Sequence, residues 1–127
     1  MKPAQFFLIL IGLAFAGYGI YCLINPNLLN EVTGMILSDP TALIEVRAMY
    51  GGLQLTAGLY LIYCALNTAH VPQALVLCIF MFAGLSGARA VGLTLDGGDN
   101  GYNVSAAIFE AVSGLIALVL LKTSTKQ

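Results

Sequence analysis

The chain has 127 residues, of which 59% are hydrophobic and only 9% are charged, with a formal net charge of −1. A soluble domain has about 25% charged residues, so this composition excludes an ordinary soluble fold and indicates an integral membrane protein with a single domain, residues 1–127. The near-neutral charge and the lack of a basic stretch argue against a nucleic-acid partner and against polybasic docking to lipid.

Four segments are long and apolar enough to cross a bilayer, which takes about 20 residues. They are residues 4–24, 41–66, 71–95 and 102–121. Turn-forming residues at Asn25-Pro26-Asn27 and at 96–101 separate them, and such residues cannot lie in lipid. We therefore predict an all-α integral membrane four-helix bundle that runs up-down-up-down. Asp39, or Ser38, is the expected N-cap of the second span.

The first segment also has features of a signal peptide. Lys2 resembles a short positive n-region, and Ala14-Phe15-Ala16 resembles a cleavage site. The apolar run nevertheless continues to Ile24, so we expect an uncleaved first span.

Residues 25–40 form the longest connection, in which apolar residues alternate with polar ones. This pattern predicts a short amphipathic helix lying at the membrane interface between spans one and two. We favour a simple interfacial anchor over a lid.

The positive charges of the flanks predict the orientation. Lys2, Lys122 and Lys126 lie at the two termini, whereas the loops 25–40 and 96–101 carry neither Lys nor Arg. By the positive-inside rule, both termini are cytoplasmic. The short uncharged loop 67–70 then lies on the same side, and it predicts an antiparallel hairpin of spans two and three.

Small residues recur at four-residue spacing in every span, which lets helix backbones approach closely in lipid. The four predicted packing grooves are Gly12/Ala16, Ala48/Gly52/Thr56, Gly84/Ala88/Gly92 and Ala107/Ala111.

Four charged residues lie inside the apolar segments, where ionised groups are costly and usually face a partner or a wet cavity. At about 1.5 Å per residue, Arg47 and Arg89 lie about 9 Å, and Glu110 about 12 Å, from the same outer face. Glu45 is the fourth charge. We expect Glu110 to pair with Arg47, with Arg89 or with both.

Further polar side chains share helix faces with these charges when successive residues are placed 100° apart. The predicted polar intramembrane cluster contains Glu45, Arg47, Tyr50, Gln54, Ser86, Arg89, Asp96, Glu110 and Ser113. One interpretation is a salt-bridge network that only fixes helix register. We favour a polar pocket opening to the outer side, because the cluster has more polar groups than register needs. The loop 96–101 at its mouth has backbone N–H groups for an anion, although a plain tight turn is the favoured interpretation.

The remaining reactive residue types do not form a recognisable site. Cys22, Cys64 and Cys78 lie within apolar segments and are interpreted as buried small hydrophobes. His70 is the only histidine. The spacing of these residues matches neither a metal-ligand set nor a cofactor motif, and the sequence shows no nucleophile–base pair. We therefore predict no cofactor, no metal and no catalytic residue.

The segment Glu45-Val46-Arg47-Ala48-Met49-Tyr50-Gly51-Gly52 resembles the signature of an uncharacterised bacterial membrane family, the domain of unknown function numbered 4345. Residues 88–97 resemble its second motif and Glu110 its third. The resemblance implies a four-span helical protein of the bacterial inner (cytoplasmic) membrane, with no assigned activity. The layout also resembles small DoxX-like membrane proteins, some of which accompany redox systems, but a likeness of architecture does not imply function.

Three functions remain open at this point. We favour a non-enzymatic accessory or interaction subunit that packs against a larger membrane complex or against itself. The alternative is binding or transport of a small lipophilic or anionic molecule, held by Arg47, Arg89 and Tyr50 in an outward-opening pocket. A membrane enzyme that uses Glu110 or Glu45 as acid or base is the third, and the least supported.

Overall fold

The computed structural model describes residues 1–97 and 101–124, and these ranges contain helices and no strand. The helices are α1 (Pro3–Ile24), α2 (Leu28–Thr33), α3 (Pro40–Val46), α4 (Leu53–Leu66), α5 (Val71–Asp96) and α6 (Gly101–Ser124). A π-helical turn, Arg47–Gly52, joins α3 to α4 without a break, and a 3₁₀ turn, Thr68–His70, leads into α5. We refer to the continuous helix Pro40–Leu66 as the second span.

Four of these helical stretches are long and apolar enough to cross a membrane. They are Pro3–Ile24, Pro40–Leu66, Thr68–Asp96 and Gly101–Ser124. The predicted four-span helical fold is therefore confirmed, with α6 extending three residues past its predicted end. The short helix α2 lies in the connection for which an amphipathic helix was predicted.

Local hydrogen bonding explains two of the helix ends. The Oδ1 atom of Asp39 accepts the backbone N–H of Thr41 at 2.7 Å, which makes Asp39 the N-cap of the second span. This backbone hydrogen bond lowers the pKa of Asp39 below its ordinary value, because it stabilises the charged form. Helix α5 ends at Gly97, whose φ of 66° is left-handed and suits glycine. The rest of the predicted tight turn, residues 98–100, lies outside the described residues.

The helices pack as two pairs. Helix α1 lies along the second span, and α5 lies along α6, while α1 also touches α5 and α6 and so joins the pairs. Contacts between α4 and α5 are much sparser. The predicted hairpin of spans two and three is therefore antiparallel in direction but loosely packed.

Glycines bring α1 against the second span. A methyl group on Gly19 would lie 2.5 Å from the backbone nitrogen of Leu55, and one on Gly58 would lie 2.5 Å from that of Ala16. These separations are shorter than any carbon–nitrogen contact allows, so the close approach of the two backbones requires glycine at both positions. The predicted small pair Gly12/Ala16 takes part in this contact.

Two of the other predicted packing grooves do not form such a close contact between helix backbones. On the second span Gly51 and Gly58 face α1, whereas Gly52 has only a carbonyl of its own helix nearby. The π-helical turn explains this difference, because an extra residue per turn rotates the helix face. On α5, a methyl group on Gly84 would meet nothing within 4 Å.

Both described ends of the chain lie at one end of the bundle. Lys2 and Ser124 line a common cleft, and a second cleft brings Lys2 together with Thr68. The turn between spans two and three is therefore at the same end as the termini, as an up-down-up-down order requires. Lys126 lies outside the described residues. Near this end is the main apolar core, which includes Leu8, Leu61 and Leu75 and the free thiols of Cys64 and Cys78; the third free cysteine, Cys22, is also buried.

Candidate functional site

An ion pair joins α5 to α6 inside the bundle. The Nε atom of Arg89 donates to both carboxylate oxygens of Glu110, each at 3.0 Å. Its Nη1 atom donates to Oδ1 of Asn103 at 2.9 Å, and the guanidinium lies 5.6 Å from the ring centroid of Tyr102. Glu110 is 6% exposed. Of the two arginines considered as partners of Glu110, Arg89 is the one that pairs with it.

The two charges compensate each other, and uncharged neighbours further surround the guanidinium. The carboxylate receives one shared N–H, while the amide of Asn103 and the ring of Tyr102 solvate the rest of the guanidinium. Planar guanidinium geometry allows these contacts at once, which an ammonium group cannot do. It is the one ion pair between residues of the ranges 1–97 and 101–124.

Arg47 has a different partner. Its Nη1 atom donates to the backbone carbonyl of Leu23, in the last turn of α1. Carbonyls at a helix C-terminus have no partner within the helix, so Arg47 caps α1. The pairing of Glu110 with Arg47, which the sequence analysis left open, is not formed, because the second span packs on α1 and not on α6. Glu45 is exposed and makes no ion pair with a described residue.

Arg47 begins the π-helical turn that ends at Gly52. Segments of π-helix inside α-helices are rare and occur frequently at functional sites. The turn coincides with most of the segment that resembles the family signature. It contains Met49 and Tyr50, which line a groove between the second span and α5. No periodicity in the sequence predicts this turn.

A large lateral groove separates the second span from α5. Its volume is about 800 Å³. The lining side chains are Phe15, Met49, Tyr50, Leu53, Gln54, Thr56, Ala57, Tyr60, Leu77, Met81 and Leu85. Exposed fractions of 56% for Leu53 and 43% for Tyr60 show that the groove opens on the lateral surface of the bundle. The sparse contact between α4 and α5 leaves this space.

A second, much smaller cleft lies where α5 ends and α6 begins, at the end of the bundle opposite the termini. Arg89, Gly92, Leu93, Asp96 and Asn103 line it, and its volume is about 260 Å³. It lies at the end of the bundle where the sequence predicted a polar pocket. The predicted polar cluster is divided between this part of the bundle and other places.

The nine predicted cluster residues thus fall into separate places. Arg89 and Glu110 form the ion pair, and Ser113 is buried on α6 with Glu110. Ser86 is bonded to its own helix, with its hydroxyl donating to the carbonyl of Phe82 at 2.7 Å. Asp96 lines the small cleft with Arg89, and Ser86 lines another cleft with Glu110. Tyr50 and Gln54 lie in the lateral groove, Arg47 caps α1, and Glu45 is exposed on α3.

The predicted cluster omits residues that the structure brings into these sites. Asn103 precedes Glu110 by seven residues, which is two helical turns, so its position beside the ion pair was available from spacing. Phe15 and Met81 carry no such signal, because a groove-lining apolar side chain and a lipid-facing one look alike in sequence. In the part of the chain that the structure describes, no three His, Cys, Asp or Glu side chains gather as a metal site would require.

Comparison with known protein families shows to which family the chain belongs. The family described as Domain of unknown function (DUF4345) matches residues 3–121, a range that contains the ion pair, the π-helical turn and the groove. The chain belongs to the DUF4345 family. This confirms the family resemblance of its motifs. No curated protein and no solved structure matches the chain significantly.

Proposed function

We propose that this DUF4345 protein binds one elongated lipophilic molecule in the lateral groove between the second span and α5. The observation that carries the proposal is the groove itself, with its volume of about 800 Å³ and its largely apolar lining. Pockets for small molecules typically measure about 300–1,000 Å³ and combine apolar walls with a few polar groups.

The route of entry follows from the opening. Because the groove faces sideways, a molecule dissolved in the bilayer enters it without passing the headgroup layer or crossing the outer end of the bundle. The binding site of this proposal is thus lateral, whereas the sequence pointed to an outward-opening pocket. The Arg89–Glu110 pair supports binding indirectly, since it fixes α5 against α6 and leaves the other face of α5 as a groove wall.

A volume-filling substitution tests the proposal. Ala57 lines the groove, so Ala57→Phe places a ring inside it. Ala14→Phe is the matched control, because Ala14 is exposed on α1 and lines none of the described clefts. Protein gently extracted from its host membrane is analysed by mass spectrometry. We expect a discrete lipophilic molecule with the wild type and with Ala14→Phe, and its loss with Ala57→Phe. Equal recovery from all three proteins would refute the proposal.

An accessory subunit is the second candidate, and the outer face of α5 favours it. Gly84, Gly87 and Ala88 are exposed there, and a methyl group on either glycine would meet nothing within 4 Å. Small residues let a helix of another protein, or of a second copy, approach closely. Gly84→Leu is then expected to release a protein that copurifies at fixed stoichiometry, whereas Gly17→Leu, at another open position, retains it. Wild-type protein that extracts alone would remove this candidate.

We also propose that the protein lies in the inner (cytoplasmic) membrane of a bacterium with both termini in the cytoplasm. Support comes from Lys2 and Lys122, which lie at the same end of the bundle near the 67–70 turn. A fluorescent protein fused after residue 127 is expected to fold and fluoresce, and alkaline phosphatase inserted at residue 36 to be active. The reverse pattern would invert the topology.

A further inference from the structure

Gln54 places an amide group near the middle of the membrane. The second span has 27 residues, Pro40–Leu66, and Gln54 is close to its centre. At about 1.5 Å per residue, the amide lies about 20 Å from either end of the span. This depth is out of reach of the water and the headgroups at both surfaces.

The part of the chain that the structure describes leaves this amide unsatisfied. Gln54 makes no hydrogen bond to a residue of the ranges 1–97 and 101–124, although its side chain lines the groove. The neighbouring Thr56 hydroxyl donates to its own helix, at the carbonyl of Gly52. Acyl chains have no hydrogen-bonding atoms at this depth, and an amide left without a partner in hydrocarbon is costly.

The groove also restricts the charge of whatever meets this amide. Its lining contains no Asp, Glu, Lys, Arg or His side chain, so an ion would find no countercharge. A neutral oxygen does suit it, because an amide N–H₂ donates to a carbonyl or hydroxyl and its oxygen accepts from a hydroxyl. Resting on the proposed function, we propose that the ligand of the groove is a neutral lipophilic molecule with a carbonyl or hydroxyl oxygen, which Gln54 binds near the bilayer midplane.

A matched pair of probes isolates this hydrogen bond. Octadecan-9-one and octadecane have the same chain length and differ by one mid-chain carbonyl. Both are supplied in deuterated form to purified protein in nanodiscs, and the amounts retained are measured by mass spectrometry. The variants are Gln54→Leu and Gln54→Met, with Thr94→Val as the control that removes a hydroxyl bonded to its own helix outside the groove.

We expect wild type and Thr94→Val to favour the ketone over the alkane by about three- to tenfold relative to both Gln54 variants, the effect of one hydrogen bond. Empty nanodiscs give the baseline ratio. Equal ratios in wild type and in the Gln54 variants would overturn the assignment of a hydrogen-bonding ligand while leaving apolar binding in place, provided that Ala57→Phe still lowers retention of both probes.

Two other results also count against the inference. If wild type retains no more of either probe than Ala57→Phe does, the proposed function and this inference are both overturned. If the Gln54 variants instead lose a copurifying protein and leave the probe ratio unchanged, a partner helix and not a small molecule satisfies the amide.

Discussion

The two helix pairs are stabilised by different contacts. Helix α1 approaches the second span so closely that Gly19 and Gly58 have no room for a methyl group. Helix α5 instead meets α6 through side chains of α5. Phe82 packs against Gly114, and Arg89 forms the buried ion pair with Glu110. One pair depends on backbone proximity and van der Waals contact, and the other on a compensated charge.

This difference explains where a groove can form. The glycine contact leaves α1 and the second span no space between them, while the ion pair fixes the register of α5 on α6. Sparse contact between α4 and α5 then leaves the open volume at the boundary of the two pairs, where Tyr50 and Gln54 lie. Membrane helices have no hydrophobic force that would close such a gap.

The largest expected effect is on the ion-paired helices. Glu110→Leu leaves the guanidinium of Arg89 without its countercharge and is expected to lower the free energy of unfolding by about 3–5 kcal/mol. The double variant Arg89→Met/Glu110→Leu removes both charges, so we expect its stability to return to within about 1 kcal/mol of wild type. Reversible unfolding in mixed micelles measures both. A double variant as unstable as the single one would show that the charges themselves are not what stabilises this pair.

The glycine contact between α1 and the second span is tested by a smaller change. Gly19→Ala is expected to cost about 1–3 kcal/mol, because the added methyl group forces the two backbones apart. Gly17→Ala, two residues away on the same helix, meets nothing within 4 Å and is expected to be neutral or slightly stabilising. The same unfolding assay compares them. Equal stabilities of the two variants would contradict the close backbone contact.

Arg47 provides a more local test. Arg47→Met removes the donor to the carbonyl of Leu23, and we expect a loss of about 1 kcal/mol together with faster hydrogen exchange in the last turn of α1. Glu45→Gln is the control, since Glu45 is exposed and has no ion pair with a described residue. Unchanged exchange in Arg47→Met would mean that α1 does not need this cap.

The smallest expected effect is the pH dependence that comes from Asp39. Its folded-state pKa lies below the ordinary value of 3.8, because its carboxylate accepts the N–H of Thr41. The stabilisation is therefore complete above that value and is lost as the pH falls through the folded-state pKa. Asp39→Asn keeps the cap without the titration. Unfolding measured from pH 6 to pH 2 is expected to show an extra loss in wild type that the variant lacks, and parallel curves would refute it.

The four spans and the Asp39 cap could be predicted from the sequence, whereas Arg47 and Arg89 both remained possible partners of Glu110. Depth and helix face place Glu110 in one layer with both arginines, so they leave either arginine as its partner. They are not enough for Arg47, since depth defines a layer but not the neighbouring helix. The carbonyl of Leu23, which Arg47 binds, is a backbone group that carries no side-chain signal.

Two other features depend on tertiary structure. The π-helical turn rotates the face of the second span, so that Gly51 and not Gly52 meets α1. The lateral groove exists because α4 and α5 make few contacts, and its apolar lining follows the same pattern as a lipid-facing surface. Neither feature has a periodicity of its own in the sequence.

Site-specific photocrosslinking in the native membrane is the most direct test of the central claim that the groove holds a defined molecule. Benzoylphenylalanine replaces Phe15, which lines the groove, or Phe80, which is 73% exposed elsewhere on α5. After irradiation, mass spectrometry reads the adducts. We predict one discrete small-molecule adduct at residue 15 and a mixture of phospholipid adducts at residue 80. The same phospholipid mixture at both positions would contradict it.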